Sequence, residues 1–190
     1  LSKSLGHGIT NRGTMTMNSG DITGAASCGI VNTGALEVSG ANIRANGNKG
    51  ILVKNGGSLF IASENVSIAD NVIGVSVEEN ATADISKAKV NSNTLNNISC
   101  FGELYIHDIM MGGSGSNCIA TNYGGHVVAK NMEIISTNGN NGIYNINGSS
   151  VAHWQSLIFR MRLYAFERLQ FEPILTAKEI VADGRTLPVG

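Results

Sequence analysis

Proline, aromatic residues and net charge are all scarce in this chain. Its 190 residues include 2 prolines, 5% aromatic side chains, and 13 basic against 14 acidic residues. The balanced charge creates no field that would attract nucleic acid or an anionic membrane, so nucleic acid is not an expected partner. Few prolines leave almost every backbone N–H able to donate in a β-ladder.

Long hydrophobic runs and paired cysteine motifs are also missing. No run of about 18 apolar residues occurs, so we expect no membrane span. Cys28, Cys100 and Cys118 show no CxxC spacing. They therefore indicate neither a zinc site nor a disulfide framework, and we expect them to be buried as small hydrophobic groups. The first residues, LSKSLGHG, lack an initiator methionine and a signal-peptide stretch, which predicts a fragment or a processed chain.

Glycine and asparagine are abundant, and they recur with a period. The dipeptide Gly8-Ile9 returns as Gly29-Ile30 and, in the same or related form, five more times, with steps of 21, 21, 24, 23, 21 and 24 residues. A fixed period of about 20 to 50 residues is the sign of a repeat architecture. The chain therefore contains seven related segments, or rungs.

Each rung also carries an alternating apolar pair and a third apolar position. The spacing of two residues within the pair predicts a strand with both side chains on one face. The pairs are Met15/Met17, Leu36/Val38, Leu59/Ile61, Ala83/Ile85, Leu104/Ile106, Val127/Ala129 and Val151/His153. The third position, five residues further on, is Ile22, Ile43, Val66, Val90, Met111, Ile134 and Ile158.

Three short strands per rung, separated by Gly and Asn turns, return the chain to its start after each period. The predicted fold class is therefore all-β, a parallel β-helix of about seven rungs over residues 1–153. A sandwich or propeller would also show short strands, but it would need antiparallel pairing set by hairpins. Apolar side chains that recur one full period apart favour the stacked coil.

The first two rungs carry the most specific motif. GITNRGTMTMNSGDITG and GIVNTGALEVSGANIRANG share G-I-x-N-x-G, then the alternating pair. They resemble the repeats of right-handed parallel β-helix surface proteins, the adhesin-like and autotransporter-passenger group. The resemblance spans about residues 6–158. It implies an extracellular or cell-surface location, and the wider pectin-lyase-like class adds polysaccharide lyases and phage tailspikes, hence a virion tail as the alternative location.

The composition changes from Trp154 onward. Residues 154–171 hold five of the ten aromatic side chains, together with half of the six arginines. Residues 154–190 are predicted to form a C-terminal cap over the last rung, which would otherwise leave unpaired backbone. The alternative is an oligomer interface, since aromatic and arginine residues anchor interfaces, and the resemblance to trimeric tailspikes implies a homotrimer.

The densest polar patch is predicted on the outer face of the second strand. If the apolar pairs point inward, the residues between and beside them point outward. The candidate catalytic residues of this patch are Asp84, Glu103 and His107. The candidate binding residues are Tyr105, His126 and Lys130.

Asp84 and Glu103 would lie about 8 Å apart on neighbouring strands, within the roughly 6.5–9.5 Å that separates the acid and base of inverting glycosidases. His107 or His126 could move a proton beside them. The competing interpretation is a solvated sheet face, where such pairs arise by chance.

Other functions are disfavoured by the outward columns. The aspartates share no column, so no calcium cage, metal or cofactor is expected. One column reads Thr16, Glu37, Phe60, Asp84 and Tyr105, which lacks the threonine repeat of an ice-binding face.

The preferred function is a non-catalytic surface module that binds a glycan or a host surface protein. The alternative is an enzyme, a glycoside hydrolase or polysaccharide lyase like a tailspike depolymerase.

Overall fold

The computed structural model describes residues 3–136, 141–145, 149–161, 180–182 and 185–187. All regular secondary structure in this part of the chain is β-strand, arranged in sheets of seven, nine and four strands. Strands from successive turns of the chain pair in parallel. The protein is therefore a parallel β-solenoid of about six turns. The predicted fold class is confirmed, and the number of turns is close to the seven rungs that the period predicts.

The strands fall into three sheets. The seven-stranded sheet contains β1 (Ile9–Asn11), β4 (Ile30–Asn32), β7 (Lys49–Val53), β10 (Ile73–Val77), β13 (Asn96–Cys100), β15 (Asn117–Thr121) and β17 (Asn141–Asn145). The nine-stranded sheet contains β2 (Thr14–Met17), β5 (Ala35–Val38), β8 (Ser58–Ala62), β11 (Thr82–Ser86), β14 (Glu103–Gly112), β16 (His126–Ser136), β18 (Ser150–Met161), β19 (Ile180–Ala182) and β20 (Arg185–Leu187). The four-stranded sheet contains β3 (Asp21–Thr23), β6 (Ala41–Arg44), β9 (Val66–Ala69) and β12 (Lys89–Val90).

The core is a set of stacked apolar columns that run along the solenoid. The first predicted column is in register through all seven strands of its sheet, from the pair Ile9/Ile30 to the pair Ile119/Ile143. The alternating pairs of the second strand are also in register. Burial of one such branched side chain stabilises a fold by about 1.5–3 kcal/mol, so the columns supply the main driving force for stacking.

The third apolar column is predicted correctly in five rungs and wrongly in two. The correct members are Ile22, Ile43, Val90, Met111 and Ile134. In the third rung Ile68, not Val66, stacks on Ile43, because the preceding turn is longer. In the seventh rung Phe159, not Ile158, takes the position, because a β-bulge adds a residue to the strand.

The corner after the third strand combines a left-handed residue with a buried asparagine. Ala45, Asp70 and Ser92 have φ of 51°, 57° and 54°. The asparagine that follows each of them stacks on the next: Asn46 Nδ2 donates to Asn71 Oδ1 at 3.0 Å, and Asn71 Nδ2 donates to Asn93 Oδ1 at 3.2 Å. We call this column, completed by Asn97, the asparagine ladder.

The ladder explains why glycine recurs at the start of the rungs that contain Gly29, Gly50 and Gly74. A Cβ on Gly50 would lie 2.9 Å from Asn71 Nδ2 and 2.6 Å from the carbonyl oxygen of Gly74. The equivalent position in the fifth rung is Asn97, whose own amide oxygen accepts from Asn93 at 3.0 Å. Space for a stacked amide therefore explains the recurring Gly of the sequence motif.

The predicted domain boundary at residue 154 falls inside β18. This strand pairs with β16 from Ser150 to Met161, so stacking continues beyond Trp154. β19 then pairs with β18 in parallel, and β20 pairs with β19 antiparallel. Most of the predicted cap or trimer segment, residues 162–179, lies outside the described residues, so both interpretations of it stay predictions.

Candidate functional site

The six candidate residues occupy neighbouring positions on the outer face of the nine-stranded sheet. The register across β11, β14 and β16 gives three rows: Thr82, Glu103 and His126; Asp84, Tyr105 and Val128; Ser86, His107 and Lys130. This is the arrangement that the alternation of inward and outward residues predicts. The chemical roles assigned to these residues stay predictions.

An open groove of about 490 Å³ lies on the same outer face, displaced toward the N-terminal rungs. It crosses β2, β5, β8, β11 and β14. Its lining comprises Thr14, Met15, Thr16, Ala35, Leu36, Glu37, Ser58, Leu59, Phe60, Thr82, Ala83, Asp84, Glu103 and Tyr105. Three of the candidate residues, Asp84, Glu103 and Tyr105, therefore line the groove, whereas His107, His126 and Lys130 are not among its lining residues.

Two aromatic rings flank a carboxylate in the groove. Phe60, Asp84 and Tyr105 are direct neighbours in one column across β8, β11 and β14. Phe60 is 46% exposed and Tyr105 is 38% exposed, so each ring offers a free surface. We call these three residues the aromatic column.

Phe60 is the site residue that sequence reasoning missed. It appears in the predicted outward column with Asp84 and Tyr105, but only as an argument against an ice-binding face. The available signal was a large aromatic side chain at an outward strand position, directly beside a candidate carboxylate.

His107 lies beside the groove, between two carboxylates. Its Nδ1 is 2.8 Å from Asp108 Oδ2, and its Nε2 is 3.4 Å from Asp84 Oδ1. The second contact lacks hydrogen-bond geometry, and Asp84 Oδ1 is a buried atom that accepts no hydrogen bond. The His107 ring also contacts the Tyr105 ring, with centroids 4.9 Å apart. His107 therefore lies between two carboxylates, hydrogen-bonded to Asp108 and within ion-pair distance of Asp84.

Asp108 owes its position to a bend within β14, in which the second and third predicted strands of this rung are continuous. It has φ of 50°, and Asn131, at the same bend one rung later, has φ of 48°. Asn131 Nδ2 donates to Asp108 Oδ1 at 3.0 Å. Hydrogen bonds from His107 and, second, from Asn131 hold the pKa of Asp108 below its usual value. Asp108 is thus favoured as a carboxylate that orients His107.

The two remaining candidates lie on β16. His126 is the neighbour of Glu103, and its Nδ1 lies 2.6 Å from the hydroxyl of Ser150. Lys130 is the neighbour of His107 in the register. Both residues lie one strand beyond β14, on the C-terminal side of the groove, so a ligand contacts them only if it extends beyond the groove toward the C-terminal rungs.

The three buried corner asparagines of the ladder offer no surface to a sugar. Asn46, Asn71 and Asn93 are all less than 5% exposed, and their amides hydrogen-bond to one another. The Gly and Asn turns expected from the sequence account for the position of these asparagines, but not for the ladder that they form. The amide groups of these three residues are used inside the solenoid.

The three cysteines are buried thiols, as predicted. Burial raises the pKa of Cys100 to about 12, and it raises the pKa of Cys118 as well. Neither thiol is therefore suited to act as a nucleophile near neutral pH. Among the described residues, no three His, Cys, Asp or Glu side chains are close enough to hold a metal ion together.

No protein-family model, curated protein or solved structure matches this chain. In the part of the chain that the structure describes, no helix has the length and apolar character needed to cross a membrane.

Proposed function

We propose that this solenoid is a non-catalytic, extracellular surface module that binds a glycan in the groove. The observation that carries the proposal is the pair of half-exposed rings in the aromatic column, set among carboxylates and hydroxyl groups. The resemblance to adhesin-like β-helices, which rests on the repeats of the first two rungs, supports the surface location.

The lining of the groove has the chemistry that a sugar requires. A sugar ring presents an apolar face of C–H groups, which packs on aromatic rings, and a rim of hydroxyl groups, which donate to carboxylates. Phe60 and Tyr105 offer the aromatic surface, and Glu37, Asp84 and Glu103 offer acceptors. Carboxylate acceptors make stronger hydrogen bonds than neutral groups do.

The dimensions of the groove suit an extended chain of sugars. The groove crosses five neighbouring strands, spaced by about 4.8 Å, so it spans on the order of 20 Å along the solenoid. Phe60 and Tyr105 are two strands apart, or about 10 Å. Two rings at this separation could support two different sugar units of one oligosaccharide.

Binding is tested by comparing aromatic variants on an oligosaccharide array and by calorimetry. Phe60→Ala and Tyr105→Ala should each weaken binding about tenfold or more, as the loss of a central aromatic contact does elsewhere. Tyr123→Ala is the matched control, since Tyr123 is 72% exposed and lies outside the groove. Equal binding by all three variants would contradict the proposal, as would a protein that binds no glycan.

A second candidate function is glycan hydrolysis or lyase cleavage, favoured by one observation. Asp84 lies diagonally across from Glu103, and His107 Nε2 is 3.4 Å from the same aspartate. If this alternative holds, bacterial polysaccharides incubated with the protein will be shortened, and Asp84→Asn or Glu103→Gln will abolish cleavage. Intact polysaccharide would reject it and leave the binding proposal unaffected.

A further inference from the structure

The groove carries negative charge and lacks a positive side chain. Glu37, Asp84 and Glu103 line it, and none of its lining residues is lysine, arginine or histidine. The whole chain has a formal charge of only −1, so these three carboxylates are a local concentration of charge. Anionic sugars such as uronates, sialates and phosphorylated units would therefore be repelled.

We propose that the glycan bound here carries free primary amines, as in an amino sugar without its acetyl group. This inference rests on the proposed function and names the substrate class of the same groove. The protonated amine lies over the Asp84 carboxylate, between the rings of Phe60 and Tyr105.

The geometry of the aromatic column favours an ammonium group. Each ring is on a strand next to Asp84, about 4.8 Å away in the sheet, and a cation is attracted to a ring face within about 6 Å of its centroid. Asp84 Oδ1 is buried, so the exposed part of this side chain, 40% of its surface, offers the other carboxylate oxygen to a ligand. An ammonium N–H could donate to this carboxylate while the other N–H groups face solvent or Glu103.

A metal ion does not fit the same position as well. The described residues contain no group of three His, Cys, Asp or Glu side chains that could share one ion. Phe60 and Tyr105, the direct neighbours of Asp84, offer ring faces to a ligand over its carboxylate. Ring faces suit an organic cation because they attract charge and also pack against its carbon atoms.

The test compares two oligosaccharides that differ only in the acetyl group. Calorimetry measures a glucosamine oligosaccharide and its N-acetylated counterpart of equal length, at a pH where the amines are protonated. We expect about tenfold tighter binding of the free-amine form, from one partly exposed ion pair and two cation–π contacts. Added salt should reduce this preference.

Asp84→Asn should remove the preference for the free amine while binding of the acetylated form persists, because the amide keeps the shape and loses the charge. Glu64→Gln is the matched control, since Glu64 is exposed and is not a lining residue, and it should keep the full preference. Circular dichroism verifies that both variants fold.

Several outcomes would overturn the inference. Equal or tighter binding of the acetylated form, or tighter binding of an oligogalacturonate, would reject the amine and leave glycan binding intact. A lysine oligopeptide that binds as tightly as the free-amine glycan would reject the sugar as the source of the amine. If Asp84→Asn weakens both ligands equally, Asp84 recognises hydroxyl groups. Failure of every oligosaccharide to bind would reject the proposed function as well.

Discussion

Two polar regions of this solenoid differ in whether their hydrogen-bonding groups are already used. In the asparagine ladder, Asn71 is 1% exposed, and its amide both donates and accepts within the column. In the groove, Asp84 has a side chain that is 40% exposed, and its exposed carboxylate oxygen faces solvent while the other one is buried. The ladder repeats the same residue from rung to rung, whereas the outward column changes residue at each rung. The regular asparagine ladder therefore holds the rungs together, whereas the irregular outward column has polar groups that can bind a ligand.

The largest effect on stability is expected from Asn71→Ala in the ladder. Asn71 Nδ2 donates to the Ile43 carbonyl at 3.1 Å and to the Ala69 carbonyl at 2.9 Å, in addition to its ladder bonds. Loss of these buried contacts leaves partners unsatisfied, so we expect about 3 kcal/mol less free energy of unfolding, measured by chemical denaturation. Asn48→Ala, at an exposed position of a corner, is the control and should change stability little. Equal effects of the two would contradict the structural role of the ladder.

A somewhat smaller loss is expected when a methyl group is added under the ladder. In Gly50→Ala the new Cβ would lie 2.6 Å from the Gly74 carbonyl oxygen and 2.8 Å from Ile68 Cγ2. Such overpacking costs about 1–3 kcal/mol, which thermal unfolding can detect. Gly13→Ala provides the comparison, because a Cβ there has no atom within 4 Å. Equal stability of the Gly50→Ala and Gly13→Ala proteins would contradict the close approach of the neighbouring rung to Gly50.

Replacement of a groove residue should separate binding from stability. Phe60→Ala removes a ring that is nearly half exposed, so we expect a loss below about 1 kcal/mol in unfolding free energy. The loss in free energy of glycan binding should exceed this loss in stability. A ladder variant that still folds should instead lose stability and keep its glycan affinity. Denaturation and calorimetry on the same sample measure both quantities. A large stability loss with unchanged affinity would assign Phe60 to packing.

The smallest effect, and of opposite sign, is expected at the left-handed corner residues. Ala45 has φ of 51°, a conformation that costs a residue with a Cβ roughly 1 kcal/mol. Ala45→Gly relieves this strain but adds freedom to the unfolded chain, so we expect a gain of about 0.5 kcal/mol or less. Thermal unfolding of Ala45→Gly beside Ala35→Gly, at a strand position, checks the sign. Destabilisation at both positions to the same extent would contradict the corner geometry.

The fold was largely predictable because its signal is repeated. Ile30, Ile51 and Ile98 follow one another at nearly constant spacing, and each has to contact its equivalents, so errors in one rung do not hide the pattern. The errors at Val66 and Ile158 arose where a longer turn and a bulge changed the spacing locally. Such insertions lie in turns or at strand irregularities, and the apolar period does not indicate their positions.

The candidate site was predictable only in part, because recognition depends on what lies beside each residue. Alternation within the strands predicted that Asp84, Glu103 and Tyr105 share one face, and they do. It did not predict that the groove is displaced toward Phe60 and away from His126 and Lys130. The depth of a groove depends on the sizes of side chains on five strands at once, which no single motif encodes.

The proposal that the groove is a glycan-binding site is tested most directly by backbone amide NMR during titration with the free-amine oligosaccharide. Saturable chemical-shift changes should cluster on β8, β11 and β14, at and around Phe60, Asp84 and Tyr105. Changes confined to Phe101 and Tyr123, whose rings stack on each other outside the groove with centroids 5.9 Å apart, or no saturable change anywhere on the outer face, would contradict it.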